Sequence, residues 1–303
     1  MKLRHIIAAA FVAGTALAAP AQAGVLAAAD LTIGSLFIYN PATQTPVTSG
    51  ITINSDTRTG TAAADFNGVS AVGVGPSSIT SVTPGETVDV KARCAGPSCP
   101  SMIGENDINT HLTAPAGNFA FGDMFLSGSA IDATGANGLT RADASIANSS
   151  NIGGANSTIL NGVEAVTQFT ADADQQLQFG LTYDAFVRVF IDGLEPSQRA
   201  NASARYSWGL TLTDVETGDE ILSWNPTQLN RGFSLASANT LNYNSSGALF
   251  SNIVTISSGR TYSLAVNQAS NALASLVPEP GSMMLVGLGL AGLGAFSRRR
   301  RMK

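Results

Sequence analysis

The sequence of 303 residues predicts a mainly β protein whose body is an antiparallel β-sandwich, with an apolar segment near each terminus. Three observations carry this prediction. Residues 204–213 alternate strictly between apolar and polar side chains, which is the period of a strand with one buried face. Only 12% of the residues are charged, and the body has no long runs of the helix formers Leu, Glu and Lys. Turn residues divide its apolar stretches into short strands, as in a sandwich.

The predicted buried face at 204–213 consists of Ala204, Tyr206, Trp208, Leu210 and Leu212. Because these side chains share an apolar strand face, we expect their aromatic rings, together with Trp224, in the core rather than on the surface. Thr217-Gly218-Asp219 predicts a hairpin turn into a strand at 220–224. Further strands are predicted at 31–39, 51–53, 87–92, 177–183, 186–191, 253–256 and 262–266.

Residues 127–162 are rich in Gly, Ala, Ser and Asn and offer few bulky side chains to bury. This composition predicts long loops. We therefore treat residues 24–277 as one extracellular β-rich body, in which a subdivision near 127–162 stays open.

The N-terminal segment has the parts of a secretory signal peptide. Basic residues precede an apolar run at 6–19, and Ala21 and Ala23 are the small residues that a signal peptidase requires. We expect export by the Sec machinery and cleavage between Ala23 and Gly24, which removes residues 1–23 from the fold.

Residues 278–303 combine a proline motif, an apolar segment and a cationic end. Pro278-Glu279-Pro280 favours an exposed, extended backbone, which is the shape that a protease needs in its substrate. The segment at 282–297 carries no charge and spans roughly 24 Å as a helix, whereas a bilayer core is about 30 Å thick. A helix buried in the protein core could have the same length, but the cations that follow the segment argue against a buried core helix.

Four consecutive guanidinium groups cannot enter a protein core cheaply, and next to a membrane they hold their end of the chain in the cytoplasm. We therefore predict a single C-terminal transmembrane helix followed by stop-transfer residues. These residues are Arg298, Arg299, Arg300 and Arg301.

This order of proline motif, Gly/Leu-rich span and arginine cluster resembles the PEP-CTERM tail of Gram-negative bacterial surface proteins. The resemblance implies recognition and processing by an exosortase, a membrane-embedded cysteine protease, so that this protein would be the substrate. It also implies a protein that is exported, transiently anchored in the inner membrane, and then located at the cell surface or in the extracellular matrix of a biofilm. Exopolysaccharide is a further partner that such surroundings suggest.

A second resemblance concerns the body. Residues 204–208, followed by Asp214, Gly218 and Trp224-Asn225-Pro226, are similar to a PEP-CTERM subgroup labelled EDSAP. This resemblance implies that the likeness to PEP-CTERM proteins extends over most of the body, and it implies no established activity.

The charge of the body argues against nucleic-acid binding. Between Gly24 and Pro280 there are nine Lys and Arg residues against 21 Asp and Glu residues, so this part carries a net charge of −12. Such an acidic body repels phosphate backbones.

The body has two cysteines, Cys94 and Cys99, on either side of a Gly-Pro pair. In an exported protein, two close cysteines most simply form a disulfide that pins a loop. A metal site would need more ligands, and a redox pair usually has two intervening residues rather than four. We therefore predict a disulfide and no metal site.

No catalytic constellation is evident, so we expect neither an enzyme nor a bound cofactor. His111 is the only histidine of the body, and no recognisable nucleophile motif accompanies it. Asp172 with Asp174, and Glu105 with Asp107, are the candidate carboxylate pairs for a glycosidase. Chance alone places such pairs in a chain with 21 acidic residues.

Two functions follow from these observations. The favoured one is an exported, non-enzymatic surface or extracellular-matrix protein whose tail an exosortase processes. The alternative is a secreted glycan-binding module or glycan hydrolase that carries the same tail. An aromatic strip on the exposed face of the sandwich would favour sugar binding.

Overall fold

The computed structural model describes residues 23–47, 49–71, 76, 78–99, 104–107, 110–131, 134–147, 151–159, 165–194 and 198–278. Within these residues the chain forms strands and one short 3-10 turn, Thr227–Leu229. No helix in this part of the chain is long and apolar enough to cross a membrane. The predicted signal peptide and transmembrane helix lie outside the described residues.

The strands are β1 (Gly24–Asn40), β2 (Thr45–Pro46), β3 (Ile51–Phe66), β4 (Val69–Ser70), β5 (Ser78–Ser81), β6 (Val88–Ala95), β7 (Phe119–Ser127), β8 (Ala136–Ile146), β9 (Asn151–Ile159), β10 (Ala165–Ala171), β11 (Gln175–Asp192), β12 (Gln198–Asp214), β13 (Glu220–Trp224), β14 (Arg231–Leu235), β15 (Asn239–Phe250), β16 (Val254–Ile256) and β17 (Thr261–Pro278).

The strands form two antiparallel sheets that pack face to face, which confirms the predicted sandwich. Sheet A has the order β15-β11-β1-β8-β7-β6, with β16 beside β11 and β2 beside β1. Sheet B has the order β10-β3-β9-β17-β12-β13, and β14, β4 and β5 extend it. Strands β9 and β10 both pair with β3 and β17, so they occupy one slot of the sheet in succession.

The alternation seen in the sequence decides which way β12 faces. Its five predicted core residues, from Ala204 to Leu212, are all buried, whereas Arg205 and Ser207 are exposed. The predicted turn at residues 217–219 joins β12 to β13, which pair as a hairpin, and Gly218 has a φ of +76° that favours glycine. The strands predicted elsewhere in the body are also present, several of them longer than expected.

The expectation of long loops at 127–162 is wrong. Strands β8 and β9 lie in this stretch, β8 in the interior of sheet A and β9 in the interior of sheet B. The inward residues of β8 include Ala142 and Ala144, which are fully buried against β17 and β9. Small side chains are buried here because the two sheets face each other, and a search for bulky apolar residues does not detect such strands.

Strand β1 contains a β-bulge that changes which of its residues face the core. Its pairing with both β11 and β8 shifts register after residues 33 and 34. Ser35 has a φ of +52°, in the left-handed region. Ile33 is buried before the bulge, and Leu36 and Ile38 are buried after it. The positions that face the core between the sheets therefore change from odd to even numbers, and Phe37 and Tyr39 point away from this core.

Three polar side chains join the two sheets inside the core. Gln268 of β17 donates to the carbonyl oxygen of Leu31 (2.6 Å) and to the hydroxyl of Thr140 (3.1 Å), both in sheet A. The hydroxyl of Ser270 donates to the carbonyl oxygen of Thr140 (2.9 Å). All three side chains are buried. Their hydrogen bonds therefore replace water that these groups lose on folding.

This polar bridge gives a first prediction. Replacing Gln268→Ala removes the cross-sheet partner of the Leu31 carbonyl and one of the two cross-sheet partners of the Thr140 hydroxyl, which keeps its contact with Ser270, and it opens a cavity. We expect the free energy of unfolding to fall by about 2 kcal/mol in urea titrations. The matched control is Gln176→Ala in β11, because Gln176 is an exposed glutamine on a strand; its change should stay within about 0.5 kcal/mol. Equal stabilities of the two variants would contradict the bridge.

Candidate functional site

The C-terminal tail leaves the body directly from a central strand. Pro278, the last residue of β17, pairs with Gln198 at the start of β12. On the other side, Leu276 pairs with Asn151 of β9. The backbone is therefore paired on both sides up to Leu276 and with β12 alone at residues 277 and 278, so the sheet continues into the proline motif without a linker.

The start of β1 lies at the same end of the sandwich. Gly24 pairs with Asp192, the last residue of β11, and the chain then passes to Gln198, which pairs with the tail strand. Ala23 is only 2% exposed. If signal peptidase cuts before Gly24, it must therefore act before β1 takes its place between β11 and β8. The cleavage itself stays a prediction, and Ala21 lies outside the described residues.

A protein-family model for the PEP-CTERM protein-sorting motif matches residues 276–301. The chain carries a PEP-CTERM sorting tail. The match confirms the tail that the sequence predicts and begins within β17, so residues 276–278 belong both to the sheet and to the motif. Neither the curated proteins nor the solved structures contain a significant match to this chain. The resemblance of the body to the EDSAP subgroup stays a prediction.

The remaining residues of the PEP-CTERM tail fall outside the described part of the chain. They include Glu279, Pro280 and the stop-transfer residues from Arg298 to Arg301. Their assigned roles, as sorting motif and membrane stop, therefore rest on the sequence and on the family match.

The predicted disulfide is present. The sulfur atoms of Cys94 and Cys99 are bonded, and their Cα atoms are 5.7 Å apart. Inside the ring, Gly96 has a φ of +114°, and a Cβ there would lie 2.5 Å from the carbonyl oxygen of Asn118. The amide of Ser98 donates to the same carbonyl (3.1 Å). The ring therefore fixes the start of the segment that connects β6 to β7.

That segment is held on the outer face of sheet A by a group of ionisable side chains. We call Asp30, His111, Arg141 and Asp143 the outer ionic cluster. Arg141 donates from Nε to Asp143 (2.7 Å), and its terminal nitrogens donate to the carbonyl oxygens of Asp107 (2.8 Å) and Thr110 (2.5 Å). Arg141 and Asp143 are almost fully buried. One guanidinium group thus joins strand β8 to two points of the connecting segment.

His111 also holds this connecting segment against sheet A. Its ring stacks on Phe186 of β11 with 4.3 Å between the ring centroids. Its Nδ1 atom lies 3.5 Å from the carboxylate of Asp30. Burial raises the pKa of the Asp30 carboxyl, against the opposing effects of His111 and Arg141. His111 thus contacts an aromatic ring and a carboxylate of sheet A, and these contacts fasten the segment to the sheet.

A further buried carboxylate lies beside the cluster on β7. Asp123 accepts hydrogen bonds from the backbone amides of Asn106 (2.5 Å) and Met124 (2.9 Å). Burial nevertheless raises the pKa of Asp123 to about 6, because the hydrogen bonds only partly replace hydration of its charge. Burial likewise raises the pKa of Asp143, although Arg141 favours its ionised form.

The candidate carboxylate pairs do not meet in a common cleft. Asp172 and Asp174 are exposed at the bend between β10 and β11. Glu105 forms an ion pair with Lys91, and Asp107 supplies a backbone carbonyl to Arg141. Among the residues that the structure describes, no three His, Cys, Asp or Glu side chains are grouped to hold a metal ion.

The aromatic residues predicted for the core are in the core. Tyr206 and Trp208 are buried, and Trp224 is half-buried and packs edge-on against Trp208 at 5.2 Å between ring centroids. A second aromatic group, which the sequence patterns did not predict, lies on the outer face of sheet A and consists of Phe37, Tyr39 and Phe250. The signal for it is Gly34-Ser35, which interrupts the apolar run at 31–39 and marks a bulge.

The disulfide gives a second prediction. Exported protein should show no free thiol when its intact mass is compared before and after alkylation. The double variant Cys94→Ser, Cys99→Ser should lose about 2 kcal/mol of unfolding free energy, because the short ring no longer restricts the unfolded chain. Wild-type protein in a reductant is the matched control and should lose the same amount. Two alkylated thiols in unreduced exported protein would contradict the bond.

A third prediction concerns Asp123. The pKa of this carboxyl is about 6 in the folded protein, against an ordinary value of 3.8 for an aspartate. Between these pH values the unfolded chain therefore loses a proton that the folded chain keeps. Stability decreases as pH rises through this window, by up to about 3 kcal/mol from this group, and is constant above it.

The test compares urea unfolding of wild type and Asp123→Asn from pH 4 to pH 7. The variant should lack this part of the decrease, because its amide does not ionise. Asp219→Asn, in the exposed turn before β13, is the control and should follow the wild-type curve. A parallel decrease in wild type and Asp123→Asn would refute the assignment.

Proposed function

We propose that this protein is a non-enzymatic component of the cell surface or extracellular matrix. In this proposal the Sec machinery exports it, signal peptidase removes residues 1–23, and the C-terminal helix holds it transiently in the inner membrane. An exosortase then processes the tail, and the body remains at the surface or among extracellular polysaccharide. The observation that carries the proposal is the PEP-CTERM match at residues 276–301, joined to a strand at the centre of a sheet.

The way the tail is joined supports processing at one defined place. Strand β17 is paired along both sides, with β12 on one and β9 and β10 on the other. Its last two residues, 277 and 278, keep the pairing with β12, and the prolines at 278 and 280 favour an extended backbone. A membrane-embedded protease would meet its substrate next to the folded end of the sandwich.

The body itself supports a structural role. Its acidic excess favours a hydrated, soluble surface. The charged groups that are buried in it, chiefly Arg141 and Asp143, bond to each other and to backbone carbonyls, and they hold the fold together. A secreted glycan-binding body with the same tail is the second candidate function. The exposed aromatic residues on sheet A favour a glycan-binding module over a glycan hydrolase.

The fourth prediction tests processing of the tail. The protein is expressed in its own host with and without the exosortase, and the C-terminal peptide is measured by mass spectrometry. We expect loss of residues 298–303 only when the exosortase is present. Replacing Pro278, Glu279 and Pro280 together by Ala should abolish this loss, because the recognised segment is changed.

The control for this experiment is Ser275→Ala, a conservative change in β17 just before the motif, which should be processed as wild type. An intact C-terminal end at residues 298–303 in both strains would contradict the proposed processing by an exosortase. Processing of the triple-alanine variant at the wild-type level would show that the motif is not what the protease recognises.

A further inference from the structure

Three aromatic side chains form a strip on the outer face of sheet A, at the end away from the PEP-CTERM tail. The ring centroids of Phe37 and Tyr39 are 5.8 Å apart, as are those of Tyr39 and Phe250. Neighbouring rings are inclined by 63° and 60°. We call these three residues the aromatic strip. Its members come from β1 and β15, with β11 between them.

The backbone is shaped to present these rings. Without the bulge after Gly34, strict alternation from Ile33 would direct Phe37 and Tyr39 into the core. The bulge lets Leu36 and Ile38 fill the core instead and turns both aromatic side chains outward. It requires Ser35 to adopt a positive φ, which is uncommon for residues other than glycine. Bulges that redirect side chains in this way are often found beside functional sites.

The aromatic rings pack directly against glycine residues. Gly180 lies between Phe37 and Phe250 in one cross-strand row. A Cβ at Gly180 would lie 2.6 Å from the ring of Tyr39 and 2.7 Å from that of Phe250. A Cβ at Gly135 would lie 2.8 Å from the ring of Phe37. The rings therefore rest directly on the backbone of the sheet, and their positions are set before any ligand arrives.

The strip is accessible although the rest of this face is partly covered. Toward the tail end, Phe119, Phe121 and Phe186 are buried under the segment that His111 and Arg141 hold in place. At the strip, by contrast, Phe250 is 53% exposed and Phe37 and Tyr39 are partly exposed. Large exposed apolar groups with a polar rim commonly mark binding surfaces.

The chemistry around the strip is neutral. The adjoining outward positions are Gln178, Thr182 and Ala248, and the first ionisable residue beyond them on β11 is Asp184. Gln178 donates to the carbonyl oxygen of Ser251 and Thr182 donates to that of Gly34. Both side chains keep an oxygen that accepts hydrogen bonds, which suits a ligand rich in hydroxyl donors.

We propose that the aromatic strip binds a neutral polysaccharide chain. Sugar rings have apolar C–H faces that pack on aromatic rings, and their hydroxyl groups would donate to Gln178 and Thr182. The acidic body and the uncharged positions that adjoin the strip on β11 and β15, which are Gln178, Thr182 and Ala248, disfavour a polyanion. Because the rings are inclined rather than coplanar, the strip fits a twisted single chain better than a flat crystal surface. The inference rests on the proposed location among extracellular polysaccharide.

The fifth prediction tests this binding with the protein exported and processed by its own host. Affinity electrophoresis measures retardation in gels that contain a soluble β-glucan, a galactomannan or a dextran, with alginate as the anionic comparator. We expect retardation by at least one neutral polymer and none by alginate. Tyr39→Ala and Phe250→Ala should each weaken the binding about tenfold, because each removes an aromatic anchor.

Two control variants separate the strip from general effects. Tyr39→Phe keeps the ring and should bind within about twofold of wild type, since the stacking surface is unchanged. Val215→Ala removes a side chain that is 45% exposed in the turn after β12, and it should bind as wild type. Thermal unfolding of all variants verifies that each is folded.

The outcomes are distinct. No retardation by any neutral polymer, preference for alginate, or binding that survives Phe250→Ala would each overturn the inference. A dimer that forms with concentration and is lost in Phe250→Ala, without polysaccharide binding, would assign the strip to self-association and would also overturn it. An unprocessed tail in the host would contradict the proposed function, and the same electrophoresis on the detergent-solubilised, unprocessed protein would then test the strip separately.

Discussion

The sandwich depends on the close approach of its two sheets over side chains that are too small to fill a wide gap. Ala142 and Ala144 of β8 face β17 and β9 across this interface, and Ala272 and Ala274 of β17 are buried in the same core. Protein interiors are packed almost without voids, so side chains of this size fill the space only where the sheets lie close together. That closeness lets Gln268 and Ser270 reach the opposite backbone and hold the sheets in register.

The same constraint explains which parts of the fold the sequence predicts. Strands with bulky apolar side chains, such as β11 and β12, show their period because each burial contributes a clear hydrophobic signal. β8 faces the opposite sheet with small residues such as Ala142 and Ala144, and β9 is rich in Gly, Ala, Ser and Asn, so the composition of both strands resembles that of a loop. The bulge in β1 is hidden for a different reason. Alternation assumes a constant period, and Gly34-Ser35 changes that period within one strand.

Some site residues can likewise be predicted from the sequence, and others cannot. The PEP-CTERM tail can be predicted from the sequence because it is a local pattern in chain order. The disulfide can be predicted because its two cysteines are close in sequence. The outer ionic cluster and the aromatic strip are assembled from residues far apart in the chain. Asp30 meets Arg141 by strand pairing, and Tyr39 of β1 meets Phe250 of β15 across β11. Contacts of this kind follow from the register of the sheets, which the local sequence does not specify.

The two ends of the sandwich differ: the tail leaves from one end, and the aromatic strip lies at the other. Strand β1 begins beside the tail at Gly24 and reaches the aromatic strip at Phe37, which is roughly 40 Å farther on at about 3.3 Å per residue. The segment fastened by Arg141 covers the sheet near the tail and leaves the far part bare. In the proposed membrane-held state, the strip would therefore lie at the end of the body that faces away from the membrane. The proposed processing at one end and the proposed binding at the other use different residues, so neither would obstruct the other.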